Sequence, residues 1–139
     1  MQQNQTMLEP DWGFDIGVTP QFELHAVEVR DNQLYITGVS HSSIKLKGRF
    51  SKISQFMSHV AIEPTEGNKL ATINLKVTSI SAYHTQLNRL NSGMQARLAC
   101  TGDFDTVLET LQTRAWQFNE ATRQWQPSTS NTEKLVLSK

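Results

Sequence analysis

The chain has 139 residues, with 13 Lys plus Arg against 13 Asp plus Glu, and a single cysteine. That length fits one domain with one core, and zero net charge argues against strong long-range attraction to nucleic acid or to an anionic membrane. A lone cysteine excludes an internal disulfide and sets a cytoplasmic, bacterial-type location as the expectation.

The opening stretch, MQQNQTMLEPDWG, has no positive charge followed by an apolar run, so neither a signal peptide nor a spanning helix is predicted, and no membrane association. Residues 1–21 read as a solvated lead-in in which Trp12 and Phe14 either dock on the core or stand exposed. From Phe22 the pattern becomes that of strands. Phe22, Leu24 and Ala26 share one parity, while Val27 and Val29 take the other, a phase switch that predicts a bulge or bend. Asp31 and Asn32 tolerate turn backbone, and Leu34 and Ile36 resume the alternation, predicting a hairpin over Phe22–Val39. Gly38 marks a bend or a close backbone approach within it.

Ile44, Leu46 and Phe50 alternate with Lys45, Lys47 and Arg49, the pattern of one amphipathic strand with a basic outer row. The row is either a solvated face that discourages edge pairing or a phosphate-contacting stripe extended by Lys52 and His41. Ile53, Phe56, Met57 and Val60 are spaced for a short helical turn, and Pro64, Glu66 and Gly67 mark a loop. From Leu70 the alternation returns, with Ala71, Ile73, Leu75 and Val77 inward and Thr72, Asn74, Lys76 and Thr78 outward. Tyr83, Leu87 and Leu90 then recur at helical spacing, and Gly93, after Asn91 and Ser92, supplies the left-handed backbone that ends a helix. Beyond it Ala96, Leu98 and Cys100 alternate with polar neighbours in a strand closed by Gly102, which puts the Cys100 thiol on the inward face.

Past Gly102, Phe104, Val107, Leu108 and Leu111 predict a helix over about residues 105–113, with Thr106 and Glu109 as a capping box, a strand being the competing reading. AWQFNEATRQWQP reads as a hairpin, Ser128 to Thr132 as a loop, and Leu135–Leu137 as a final edge strand. Trp116, Phe118 and Trp125 either plug the core or form an exposed platform for a protein partner.

Little in the chain points to chemistry. His25, His41, His59 and His84 show no zinc-type spacing and there is no cysteine pair. Glu23, Glu28, Asp31, Asp103 and Asp105 fall on strand faces and turns without convergence. No catalytic residue, metal, cofactor or small-molecule substrate is expected.

Five or six short strands with glycine-marked corners predict a mostly β, small closed barrel. Leu34, Tyr35, Ile36, Thr37 and Gly38, followed by Ile44, Lys45 and Gly48, form one set of spaced residues; Ile80, Tyr83, Leu87, Gly93, Leu98 and Gly102 form another. In these two sets the chain, from Phe22 to Gly102, resembles the second domain of translational GTPases such as elongation factor Tu. The resemblance implies a six-stranded barrel, which places the barrel at residues 22–104; past Gly102 the likeness ends, and the helix and hairpin over 105–139 read as an extension packing on the same domain. It also implies a translation-related setting. No phosphate-cradling motif precedes the barrel, which excludes the family's GTPase domain. Val39 follows Gly38 where the family's RNA-docking loop often carries arginine, and Ser43 stands where a further glycine is usual.

The sequence therefore points to a non-catalytic protein-binding module; the resemblance implies one form of it, an immunity or adaptor protein acting on a toxin or a translation-related partner. The alternative is an RNA- or ribosome-binding accessory factor using His41, Lys45, Lys47, Arg49 and Lys52.

Overall fold

A computed structural model describes residues 21–56, 69–131 and 133–139. The first hairpin forms as its turn residues dictate. β1 (Gln21–Arg30) and β2 (Gln33–Ser40) are joined by Asp31 and Asn32, both in left-handed backbone at φ 55° and 62°. That pair of positive φ values matches the natural twist of a two-residue hairpin. The predicted phase switch is a register shift between Leu24 and Ala26, which leaves His25 unpaired on β2 and exposed. Gly38 sits where a Cβ would lie 1.8 Å from the Glu23 carbonyl oxygen, so only glycine lets β2 pass β1 this closely.

The long strand β5 (Lys69–Ala82) follows β3 (Ile44–Lys45) and β4 (Arg49–Phe56) in the chain. After it come β6 (Thr85–Leu87), β7 (Arg89–Leu90) and β8 (Gln95–Gly102). Ile73, Leu75 and Val77 point into the core. A second register shift between Val77 and Ser79 then turns Ile80 and Ala82 inward as well. Helix α1 (Phe104–Thr113), the hairpin β9 (Trp116–Asn119) and β10 (Gln124–Pro127), and the last strand β11 (Lys134–Ser138) complete the described elements.

Antiparallel pairings run β1–β2, β2–β8, β8–β5, β5–β4, β4–β11 and β11–β1, and so close a ring of six strands. Phe22, Leu34, Ile36, Phe50, Ile53, Leu75, Leu98, Leu135 and Leu137 fill it, each at most 2% exposed. Val107 and Leu111 of α1 join the same core. Burying such side chains contributes about 1.5–3 kcal/mol each, the main driving force for closing the ring.

Several expectations are corrected. The helix expected at Tyr83–Leu90 is a second tight hairpin. Tyr83 and His84 carry φ 52° and 63° between β5 and β6, and Tyr83 is 79% exposed. Gly93 does adopt left-handed backbone, φ 86°, but in the turn before β8. The single strand expected over Ile44–Phe50 is two, because Lys47 at φ 67° breaks it. Ile53 lies in β4 and belongs to no helical turn. The cap of α1 is Asp103, whose carboxylate accepts from the Thr106 N–H at 3.3 Å, so Thr106 sits inside the first turn. Leu135–Leu137, expected at an edge, closes the ring between β4 and β1. Trp12, Phe14, Met57, His59, Val60, Pro64, Glu66 and Gly67 lie outside the described residues.

Candidate partner-binding hairpin

The β9–β10 hairpin leaves the ring through one bridge. Val27 of β1 pairs with Trp125 of β10, and Trp125 pairs with Phe118 of β9. Directly paired antiparallel residues point to the same side, so Ile36, Val27, Trp125 and Phe118 form one apolar row across four strands. Ile36 and Val27 are fully buried, Trp125 is half-buried, and Phe118 is 43% exposed. The Phe118 and Trp125 rings meet with centroids 5.6 Å apart and planes tilted by 60°, a favourable edge-to-face range.

Trp116 behaves differently from its neighbour two residues on. It is 4% exposed and packs with the core cluster, next to α1. Among the described residues its Nε1–H has no hydrogen-bond partner. Of the three aromatics, the structure makes Trp116 a core residue and leaves Phe118, backed by Trp125, at the surface. The other face of the hairpin is all amide. Gln117 pairs with Gln126, Asn119 pairs with Gln124, and Asn119 Nδ2 donates to Gln126 Oε1 at 3.3 Å.

The basic residues do not form a single row. Lys45 pairs with Arg89 in the small β3–β7 sheet, Lys47 caps the turn beside Val77, Arg49 pairs with Lys76, and Lys52 pairs with Thr72. Arg49 also donates to Asn74 Oδ1 at 3.2 Å. Lys76 lies beside Arg49 and Arg89 beside Lys45 by cross-strand pairing, which the sequence alone did not reveal. Like charges directly opposite each other destabilise a sheet, so Arg49 against Lys76 is a local cost.

His41 belongs elsewhere. Its Nε2 donates to Glu23 Oε1 at 2.8 Å, while His25 Nε2 donates to Glu23 Oε2 at 2.9 Å and Lys134 Nζ lies 3.7 Å from the same oxygen. Burial would raise the Glu23 carboxyl, but the hydrogen bonds from His41 and His25 and the charge of Lys134 outweigh it and hold the group below its ordinary value. Each imidazole takes a separate carboxylate oxygen. Among the described residues no group of three or more His, Cys, Asp or Glu is arranged to hold a metal ion.

A further cluster lies on the outer face of β1, β2 and β8. Arg30 and Arg97 stack on Tyr35 at 4.8 and 4.7 Å, and Arg97 donates to Glu28 Oε1 at 2.9 Å. Both guanidinium groups are tied up by the ring and by Glu28. Cys100 is fully buried, and burial pushes its thiol up to about 12, which leaves no thiolate near neutral pH. No described helix is long and apolar enough to cross a membrane.

No protein-family model, curated protein or solved structure matches this chain.

Proposed function

We propose that this chain is a non-catalytic binding module that docks another protein through the β9–β10 hairpin. The observation that carries this reading is Phe118, 43% exposed on an outermost strand and braced by the Trp125 ring. Large rings fixed at a surface are enriched among residues that dominate binding energy. We read the six-strand ring as a small closed barrel of the kind found as the second domain of translational GTPases. Its closure, and the close approaches at Gly38 and Gly102, support that reading. On this likeness the partner is translation-related or a toxin, and the protein acts as an adaptor or immunity protein. A cytoplasmic setting fits the lone buried Cys100.

The test is capture of a partner from lysate of the source organism by the tagged full chain, with and without nuclease. A stoichiometric protein that survives nuclease and is lost with Phe118→Ser, while the melting temperature is kept, supports the reading. Capture that ignores Phe118→Ser removes the hairpin from it.

The Arg49–Lys76 opposition favours a second reading, an RNA-contacting face of Lys47, Arg49, Lys52 and Lys76. On that reading Lys47→Glu with Arg49→Glu abolishes RNA binding, and wild-type affinity falls steeply with salt.

A further inference from the structure

The open side of β9 presents a defined set of backbone groups. In an antiparallel pair, successive residues turn their N–H and C=O alternately toward and away from the partner strand. The Arg123 N–H donates to the Asn119 oxygen at 2.7 Å and the Ser128 N–H to the Ala115 oxygen at 3.1 Å, so Ala115, Gln117 and Asn119 face β10. Trp116 and Phe118 therefore turn one donor and one acceptor each toward the open side. Among the described residues no strand lies beyond β9, and Gln117, Phe118 and Asn119 are exposed. Three usual protections of an edge are missing: Trp116–Asn119 contains no charge and no proline, and its register with β10 has no bulge.

What fits this edge is another β9. The strand alternates aromatic and amide side chains, Trp116, Gln117, Phe118 and Asn119, and a two-fold axis normal to the sheet keeps aromatics beside aromatics and amides beside amides. Only one register satisfies every outward group. With Gln117 on the axis, Trp116 of one copy faces Phe118 of the other, and each such pair exchanges two hydrogen bonds. Moving the axis to Phe118 sets Trp116 against Glu120, outside the strand. Moving it to Trp116 sets Phe118 against Arg114, at the helix C-cap.

We infer that, when no other partner is bound, the hairpin docks a second copy of this chain, paired antiparallel through β9 with Gln117 opposite Gln117. The inference rests on the hairpin being the docking surface and names its occupant. Four backbone hydrogen bonds and a strip of aromatic side chains make a small interface, so the dimer depends on concentration.

The test is Gln117→Cys in the full chain under mild oxidation. Residues at a non-hydrogen-bonded position lie about 4.5 Å apart across the strands, within disulfide reach, and buried Cys100 does not compete. The expected result is a covalent dimer from Gln117→Cys, with at least ten times less from Asn119→Cys, whose two copies lie far apart in this register. Light scattering over a dilution series should show the wild type passing from dimer to monomer, and Phe118→Lys monomeric throughout with an unchanged circular dichroism spectrum. Equal cross-linking at positions 117 and 119, or a wild type that stays monomeric at the highest concentration, overturns the inference. A monomeric wild type that still captures a different protein through Phe118 overturns only the second copy and leaves the docking surface standing. Loss of both results removes both.

Discussion

The six-strand ring and the β9–β10 hairpin solve the same problem in opposite ways. In the ring every strand has two neighbours, so no backbone edge is left open, and its inward side chains are almost fully buried. The hairpin hangs on β1 by one paired position, Val27 with Trp125, and ends in a strand with an open side. Closure concentrates stability in the ring. The hairpin, little needed for that stability beyond Trp116, can carry an exposed ring and unprotected backbone without endangering the fold.

The boundary between the two regions falls inside β9, and the largest expected effect tests it there. Trp116→Ala removes a ring that is 4% exposed and should cost about 4 kcal/mol in a denaturant titration, as for a core residue. A cost near zero would move the whole hairpin outside the core. Leu137→Ala in β11 comes next, at about 3 kcal/mol, because it leaves a cavity in the strand that closes the ring between β4 and β1. If the loss is small, the ring does not depend on its closing strand, and the contrast with the hairpin weakens.

How much of this division was legible in the sequence depends on the range of the interactions. Asp31–Asn32 and the period-two run from Leu70 are local signals, and both elements form where those signals put them. Tyr83, Leu87 and Leu90 gave a local signal that misled. Their spacing suits a helix, while the deciding fact is two successive positive φ values at Tyr83 and His84, an uncommon pairing outside glycine and asparagine. β11 gave no sign that it closes the ring, since its partners lie on β1 and β4, far away in the chain. The same holds for Glu23, whose partners His41, just past β2, and Lys134 of β11 lie far from it in the chain. Of the candidate hairpin, the aromatics were visible as a set. Their division into one core residue and one surface ring required the packing of α1 on β9.

That Glu23 cluster gives a smaller, pH-dependent effect on the ring side. The folded carboxyl titrates below its ordinary value of 4.5, so it contributes stability that is present above about that pH and is lost as pH falls through the lower folded value. His25→Ala with His41→Ala removes both hydrogen bonds, leaves burial less opposed, and should raise the Glu23 carboxyl. The loss of stability on acidification then becomes smaller, because the folded and unfolded carboxyls titrate closer together. Midpoints of urea unfolding from pH 3 to 7 measure the change. Identical pH profiles in wild type and double variant would show that the two imidazoles do not hold the charge.

The smallest effect on stability is expected at the ring on which the proposed docking depends. Phe118→Ser deletes a ring that is 43% exposed and whose aromatic contact is with Trp125, so folding should lose about 1 kcal/mol or less. Two residues away, Trp116→Ala is expected to cost several times more, although both side chains are aromatic, lie on one strand and share a face. Burial alone separates them. A strand whose first residue anchors it to the core while its third faces outward can hold a rigid backbone edge toward a partner without relying on that partner for its own fold. If Phe118→Ser unfolds the protein, the ring and the hairpin are one core, and the open edge of β9 is a consequence of packing with no role in docking.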